Sequence, residues 1–305
     1  MVETEEQLFQ HNQFENWKLK IKITPQPSIS MPKDIYKAVW ISNSSINDFL
    51  SCPRLYFLRN MYKDPLTRHK VNIVSPALAL GQTVHEVLEA LSVIPAEQRF
   101  SKSLLAHYEE AWQKVTGKLG GFQNNEQEEH IKNRGRKMLE RVMKHPGPLL
   151  NKAIKIKKDL PYFFLSEEDN IILCGKIDWL EYLPETDTVH IIDFKTGKND
   201  ESISSLQLPA YTLIVNACQS KTASKGSYWY LERDNEPFEI TLPSLEKSYE
   251  LILQAGKKIK SARENNEFTC PKNGCFSCRP FEAIIRKEAE FVGTGGYNQD
   301  LYILP

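Results

Sequence analysis

Two aspartates and a lysine within residues 175–198, GKIDWLEYLPETDTVHIIDFKTGK, have the types and spacing for metal-dependent phosphodiester chemistry: Asp178, Asp193 and Lys195. Residues 171–183 are mostly apolar and β-branched or aromatic, as are 189–194, and Pro184-Glu185-Thr186-Asp187 between them has turn composition. This pattern predicts a β-hairpin. With Glu185 and Thr186 at its tip, Asp178 falls directly opposite Asp193, roughly 5 Å away at Cβ. Lys195, two residues beyond Asp193, returns to the same face, while Ile192 and Phe194 point into a core. Two bare carboxylates this close repel, so one takes up a proton unless a cation neutralises them. Oxygen ligands suit Mg²⁺ or Mn²⁺, which polarises a phosphate and lowers the pKa of bound water. A lysine beside that water can orient it and offset transition-state charge. The plainer alternative is a surface hairpin with solvated acids and a lysine.

Other elements must converge on this hairpin for it to act. Over 77–91 the apolar positions Leu80, Val84, Leu88 and Leu91 recur at helical spacing, and Gly81 and His85, four apart, share a face. A glycine there costs a helix up to about 1 kcal/mol, which predicts a close approach of backbone to something. Glu86 is turned about 100° away from His85. Gln207 and Tyr211 are likewise i and i+4, on a helix whose Pro209 is tolerable only in its first turn. That puts the helix start near 203–206, with Ser202, Ser204 or Ser205 as cap.

The six cysteines carry a second signal. The N-terminus, MVETEEQLFQHNQFENWKLK, is acidic and polar with no apolar leader, so a cytoplasmic protein is expected. Clustered cysteines in that setting bind metal more often than they form disulfides. Cys270, Cys275 and Cys278 lie in CPKNGCFSC and Cys52 in SCPRLYF; Cys174 and Cys218 sit in apolar surroundings and read as core.

GKIDWLE followed by IIDFKTGK resembles motifs II and III of the PD-(D/E)xK nuclease superfamily, in particular its RecB-like branch. Three further segments match that branch in order: SNSSINDFLSCPRLYFLRN at 42–60, LALGQTVHEVLEAL at 78–91 with its GxxxH, and QLPAY at 207–211 with its QxxxY. The resemblance covers roughly residues 41–280. It implies a metal site of His85, Asp178, Asp193 and the carbonyl of Phe194, with Lys195 positioning the attacking water and Gln207 and Tyr211 contacting lysine or substrate. The early cysteine plus three late ones is similar to the iron-sulfur staple of AddB-type nuclease domains and CRISPR-associated adaptation exonucleases, so a [4Fe-4S] cluster on Cys52, Cys270, Cys275 and Cys278 is implied. The branch more often carries a cysteine after its CxxC, whereas here Cys270 precedes it and nothing follows Cys278. Four thiolates would equally hold zinc, and free thiols remain a third reading.

The resemblance implies a DNA nuclease, an exonuclease on single-stranded ends or tails, in recombination, repair or CRISPR adaptation. No GxxxxGK[ST] occurs, so unwinding would come from a helicase partner. The competing reading is a non-catalytic cluster-bearing module that binds DNA and recruits a helicase. With 305 residues and 41% hydrophobic content the chain can bury a sizeable core, and no apolar run is long enough to span a membrane. A net charge of zero does not advertise nucleic-acid binding, so phosphate contacts must be local. Candidates are Arg54 and Arg59, then Arg134, Arg136, Lys137 and Arg141, and the lysines of 152–158. The expected fold is α/β, a central mixed sheet flanked by helices. Residues 1–38 form a polar, partly disordered lead with a candidate strand at 17–23, 39–287 the nuclease domain with a helical lobe at about 95–150, and 288–305 an unassigned tail. Helices are expected over 39–64, across Cys52, and over 244–265, capped by Ser244, with a connection at 65–76 and a strand run at 153–165.

Overall fold

The computed structural model describes residues 35–156 and 158–305, so the expected strand at 17–23, and nearly all of the expected lead, fall outside the described residues. In chain order the elements are β1 (Val39–Ile41), α1 (Asn43–Ser51), α2 (Pro53–Tyr56), β2 (Lys70–Ile73), α3 (Pro76–Ala90), α4 (Leu104–Trp112), α5 (Asn125–Lys144), β3 (Tyr162–Ser166), β4 (Ile171–Cys174), β5 (Trp179–Leu183), β6 (Thr188–Lys195), α6 (Gln207–Cys218), β7 (Ala223–Tyr230), β8 (Phe238–Ile240), α7 (Leu245–Asn265), α8 (Arg279–Ile285), β9 (Glu290–Gly295) and β10 (Gln299–Ile303). The fold is mixed α/β, but among the described residues the strands divide among three sheets, ordered β5-β6-β7-β8, β1-β4-β3 and β2-β10-β9, where the sequence suggested one.

The largest of these sheets positions the hairpin. β5 and β6 pair antiparallel in the register Trp179↔Ile192, Leu180↔Ile191, the one expected from the turn. β6 then pairs parallel with β7, with α6 as the connection between them. All but the last residue of β6 are buried, as a central strand with a parallel partner demands. The pleat sends Ile192 and Phe194 into one core with Trp179, Trp229 and apolar residues of α3, α4 and α5. This helical lobe is tightly seated: a Cβ on Gly135 of α5 would lie 2.1 Å from the hydroxyl of Tyr108 on α4, so only glycine fits. The other face of the sheet carries α6, which also lies against α7.

Serines and an asparagine start several of the helices. Ser75 accepts from Leu78 N before Pro76 opens α3, Asn124 accepts from Gln127 N at α5, and Ser244 accepts from Lys247 N at α7 as expected. Four sequence readings need correction. The helix expected across the first cysteine breaks at Cys52, which is extended (φ −168°, ψ 121°) because the ring of Pro53 excludes the helical region for its predecessor. The strand read as continuous over 171–183 is two, β4 and β5, in different sheets, with 175–178 between them. Among the described residues of the run 153–165, one bridge, Ala153 to Glu181, precedes β3. The connection at 65–76 contains β2, and the unassigned tail folds back as β9 and β10, with β10 parallel to β2. Among the described residues no helix is long and apolar enough to cross a membrane.

Candidate active site

Asp193 lies in mid-sheet on β6, only 2% exposed. Asp178 stands one residue before β5, just beyond the last recorded pair of the hairpin, Trp179↔Ile192. Its Oδ2 accepts from the backbone N–H of Phe194 at 2.9 Å, and its Oδ1 lies 3.2 Å from His85 Nδ1. The loop end is thus stitched to β6 on one side and to α3 on the other. The Phe194 ring turns away into the lobe core.

Around Lys195 the polar groups form a closed network. Its Nζ donates to Gln207 Oε1 at 2.6 Å and lies 2.7 Å from Glu201 Oε2. Gln207 Nε2 in turn donates to Asp193 Oδ1 at 2.6 Å and reaches the Tyr211 hydroxyl at 3.2 Å. The amide of Gln207 is therefore oriented by an ammonium at one end and a carboxylate at the other. Lys195 Nζ stands 3.0 Å from Asp193 Oδ2 but off the direction of a hydrogen bond, so this buried oxygen has charge beside it and no hydrogen-bond donor. Burial and the neighbouring Asp178 push Asp193 up to about 7. Burial alone would lower Lys195, but Asp193 and Glu201 hold it above the ordinary lysine value, so it is an ammonium at neutral pH. Tyr211, buried beside both aspartates, is held well above its usual value and stays a neutral phenol.

His85, Glu89 and Asp178 each offer a ligand atom, all within 4.8 Å of one another. Burial would lower His85, but the Asp178 carboxylate, helped by Asp193 and Glu89, raises it to about 9. Glu89 is thus the carboxylate that joins His85 and Asp178 in this trio, while Asp193, the other expected ligand, accepts from Gln207 and lies close enough to Asp178 and His85 for their charges to interact. Glu89 also pairs with Lys176. Glu89 was legible, since it is four residues after His85 on one helix face. Glu201 was not, because it comes from the irregular stretch between β6 and α6, where no periodicity operates. Gly81 does not mark a forced approach: a Cβ there would meet Thr196 Oγ1 at 3.4 Å, an ordinary contact. Glu86 pairs with Lys114 but, against the expectation that it is turned away, also lines the cleft beside His85. α6 begins at Gln207, leaving Pro209 in its first turn, but its N-cap is Leu206 with no side-chain cap; Ser205 Oγ accepts from Gln207 N at 3.3 Å instead.

A hard divalent cation fits here. The donors are carboxylate and imidazole, one buried carboxylate oxygen lacks a hydrogen bond, and the raised Asp193 and His85 report negative charge awaiting a counterion. A second polar chain, Glu181–His190–Ser227, has triad-like order (2.8 and 2.7 Å), yet all three side chains are buried in the sheet and no substrate reaches them.

The four cysteines named from the sequence converge. The sulfurs of Cys52, Cys270, Cys275 and Cys278 lie within 4.8 Å of one another, and Cys275 and Cys278 are 3.6 Å apart. Cys52 sits at the break between α1 and α2 and Cys278 caps α8; Leu55, Leu58, Val71, Phe281 and Ile284 surround them. Burial pushes Cys278 up to about 12 and Cys52 above the usual thiol value. At Cys270 burial is outweighed by the N–H groups of Gly274 and Lys272, which bring the thiol down to about 6. A set that mixes thiol and thiolate is suited to a soft metal. Cys174 is buried and 3.4 Å from Ile41 O; Cys218, expected in the core, is only partly buried, 3.6 Å from Tyr162 O.

Most of the basic residues read as phosphate contacts are instead engaged within the fold. Arg54 binds Glu282, Arg59 binds Asp48, Arg134 grips Glu232 through two hydrogen bonds, Arg136 binds Glu109 and Arg141 binds Asn235. Lys155 and Lys158 line a cleft of about 630 Å³ that His85 and Asp178 share, the Lys158 ammonium also lying 4.2 Å over the Tyr162 ring. Residues 41–281 match the model of the PD-(D/E)XK nuclease superfamily. A search among curated proteins finds no match.

Proposed function

The chain belongs to the PD-(D/E)XK nuclease superfamily, and from that premise we propose that it is a Mg²⁺- or Mn²⁺-dependent deoxyribonuclease of the RecB-like branch, an exonuclease on single-stranded ends or tails. The observation that carries this reading is the buried Asp193, short of one hydrogen bond and flanked by Lys195, Asp178 and His85. His85, Asp178, Asp193 and the Phe194 carbonyl would hold the ion, whose chemistry there would be to polarise the scissile phosphate and lower the pKa of a water. Glu89 supports it from the same helix face. Lys195, kept cationic by Asp193 and Glu201, aims the water and offsets the charge that builds on phosphorus. Gln207 fixes the direction of the ammonium through one end of its amide and holds Asp193 through the other. Tyr211 supports that glutamine. Products with one terminal phosphate follow from hydrolysis.

The test is the loss of a labelled single-stranded oligonucleotide with and without Mn²⁺. Lys195→Ala is expected to slow the cleavage by roughly 10²–10³-fold, the usual loss when one preorganised donor is removed. A Lys195→Ala protein as active as its parent refutes the assignment, and a parent that binds DNA but never cleaves it reduces the protein to a DNA-binding module. DNA recombination, repair or CRISPR adaptation, with a helicase as partner, is the setting that the branch suggests.

For the cysteines the branch suggests a [4Fe-4S] cluster. A second reading, one tetrahedral zinc, is favoured by compactness: Zn–S bonds near 2.3 Å give a sulfur–sulfur edge of roughly 3.8 Å, close to the 3.6 Å between Cys275 and Cys278. Iron and zinc analysis with a visible spectrum of anaerobically purified protein separates the two.

A further inference from the structure

The cleft beside His85 and Asp178 has one wall from a segment beyond the family match, which ends at residue 281. That wall is the turn of the β9–β10 hairpin, where Tyr297 is fully exposed (101%) and held at φ 57°. A bulky L-residue in the left-handed region is strained, and an aromatic ring at a turn tip contributes nothing to a core. The hairpin is nonetheless firmly fixed. β10 pairs with β2, Val74 N donates to Tyr302 O at 2.9 Å, and the buried carboxylate of Asp300 accepts from Thr67 Oγ1 at 2.6 Å and binds His69 Nδ1 at 2.8 Å. β2 runs through Val74 and Ser75 straight into α3, which carries His85. The backbone of the turn that carries Tyr297 is thereby set at a defined place relative to the candidate catalytic centre, with the ring open to solvent at the cleft. Lys155, Lys158 and Lys176 line the same cleft, the last neutralising Glu89.

We propose that Tyr297 is a base-stacking platform that seats an unpaired nucleotide in this cleft, with Lys155 and Lys158 on the adjoining phosphates. An exposed π-face accepts any base, but only a base whose own face is open, so the device selects single strands over the interior of a duplex. The lysines supply the salt-sensitive attraction to the backbone that the net charge of the chain does not. The inference rests on the reading of His85 and Asp178 as a hydrolytic centre only for what happens after binding.

The experiment is fluorescence anisotropy of the full chain with a fluorescein-labelled oligothymidylate in EDTA, where nothing is cleaved. Tyr297→Ala is expected to weaken binding roughly fivefold to a hundredfold, the range for loss of one stacked base. Tyr297→Trp should bind like the parent, and an abasic strand of the same length should not distinguish the three proteins. Equal affinity of Tyr297→Ala and parent for oligothymidylate overturns the proposal, as does a Trp variant no better than Ala, or an equal loss on the abasic strand. A protein that shows the expected pattern yet never hydrolyses DNA with Mn²⁺ keeps this inference and removes the nuclease reading. One that hydrolyses DNA while Tyr297→Ala binds unchanged does the reverse.

Discussion

Asp193 and His85 both hold protons in the metal-free fold at pH values where the unfolded chain has released them. Asp193 rises from an ordinary 3.8 to about 7 through burial and Asp178, and His85 from 6.5 to about 9 through its carboxylate neighbours against burial. The sign follows directly. The stability contributed by Asp193 is complete below about 3.8 and is lost as pH rises through about 7; that of His85 is complete below 6.5 and lost through about 9. A divalent cation binds the deprotonated forms, so its stabilising effect must grow over the same window. Melting curves in EDTA and in Mn²⁺ should therefore diverge as pH climbs from about 6 to about 9, with Asp193→Asn removing much of the divergence. Parallel curves would mean that these groups do not meet the ion.

At the scale of elements, the site depends on how closely α3, α4 and α5 sit against the sheet, because α3 carries His85 to Asp178. Gly135 sets one of those distances. Gly135→Ala would place a methyl 2.1 Å from the Tyr108 hydroxyl, forcing the two helices apart. A cost of roughly 1–3 kcal/mol in denaturant unfolding is expected, the range for an overpacked core. Adding Tyr108→Phe removes the oxygen but leaves the ring carbon at 2.6 Å, so it should restore only part of the loss. Full recovery would show that the hydroxyl alone was responsible, and no loss would show that the lobe is more loosely packed than these distances require.

Across the whole molecule, the cysteines join segments distant in sequence: Cys52 between α1 and α2, and the loop from Cys270 to α8. Closing so long a loop removes much freedom from the unfolded chain, so a metal held by these four thiols would act first as a clamp. Cys52→Ser should lose the metal and expose α1, α2, β2 and α8 to hydrogen exchange while β5 and β6 stay protected. Uniform loss of protection would mean that the clamp and the catalytic sheet unfold as one.

The sequence by itself determined what is periodic. A pleat of two residues and a turn of known composition set the register of β5 on β6 and turned Ile192 and Phe194 inward, and a helical repeat aligned Gln207 with Tyr211. Even Glu89 was within reach of that rule. Only the tertiary structure decided which groups the chain brings from elsewhere. Glu201 on Lys195, the meeting of Cys52 with Cys270, the division of 171–183 between two sheets, and the tail hairpin that brings Tyr297 to the cleft all depend on contacts between residues far apart in sequence. Their geometry is set by loop closure and by competition for burial across the fold, and neither leaves a mark on local spacing.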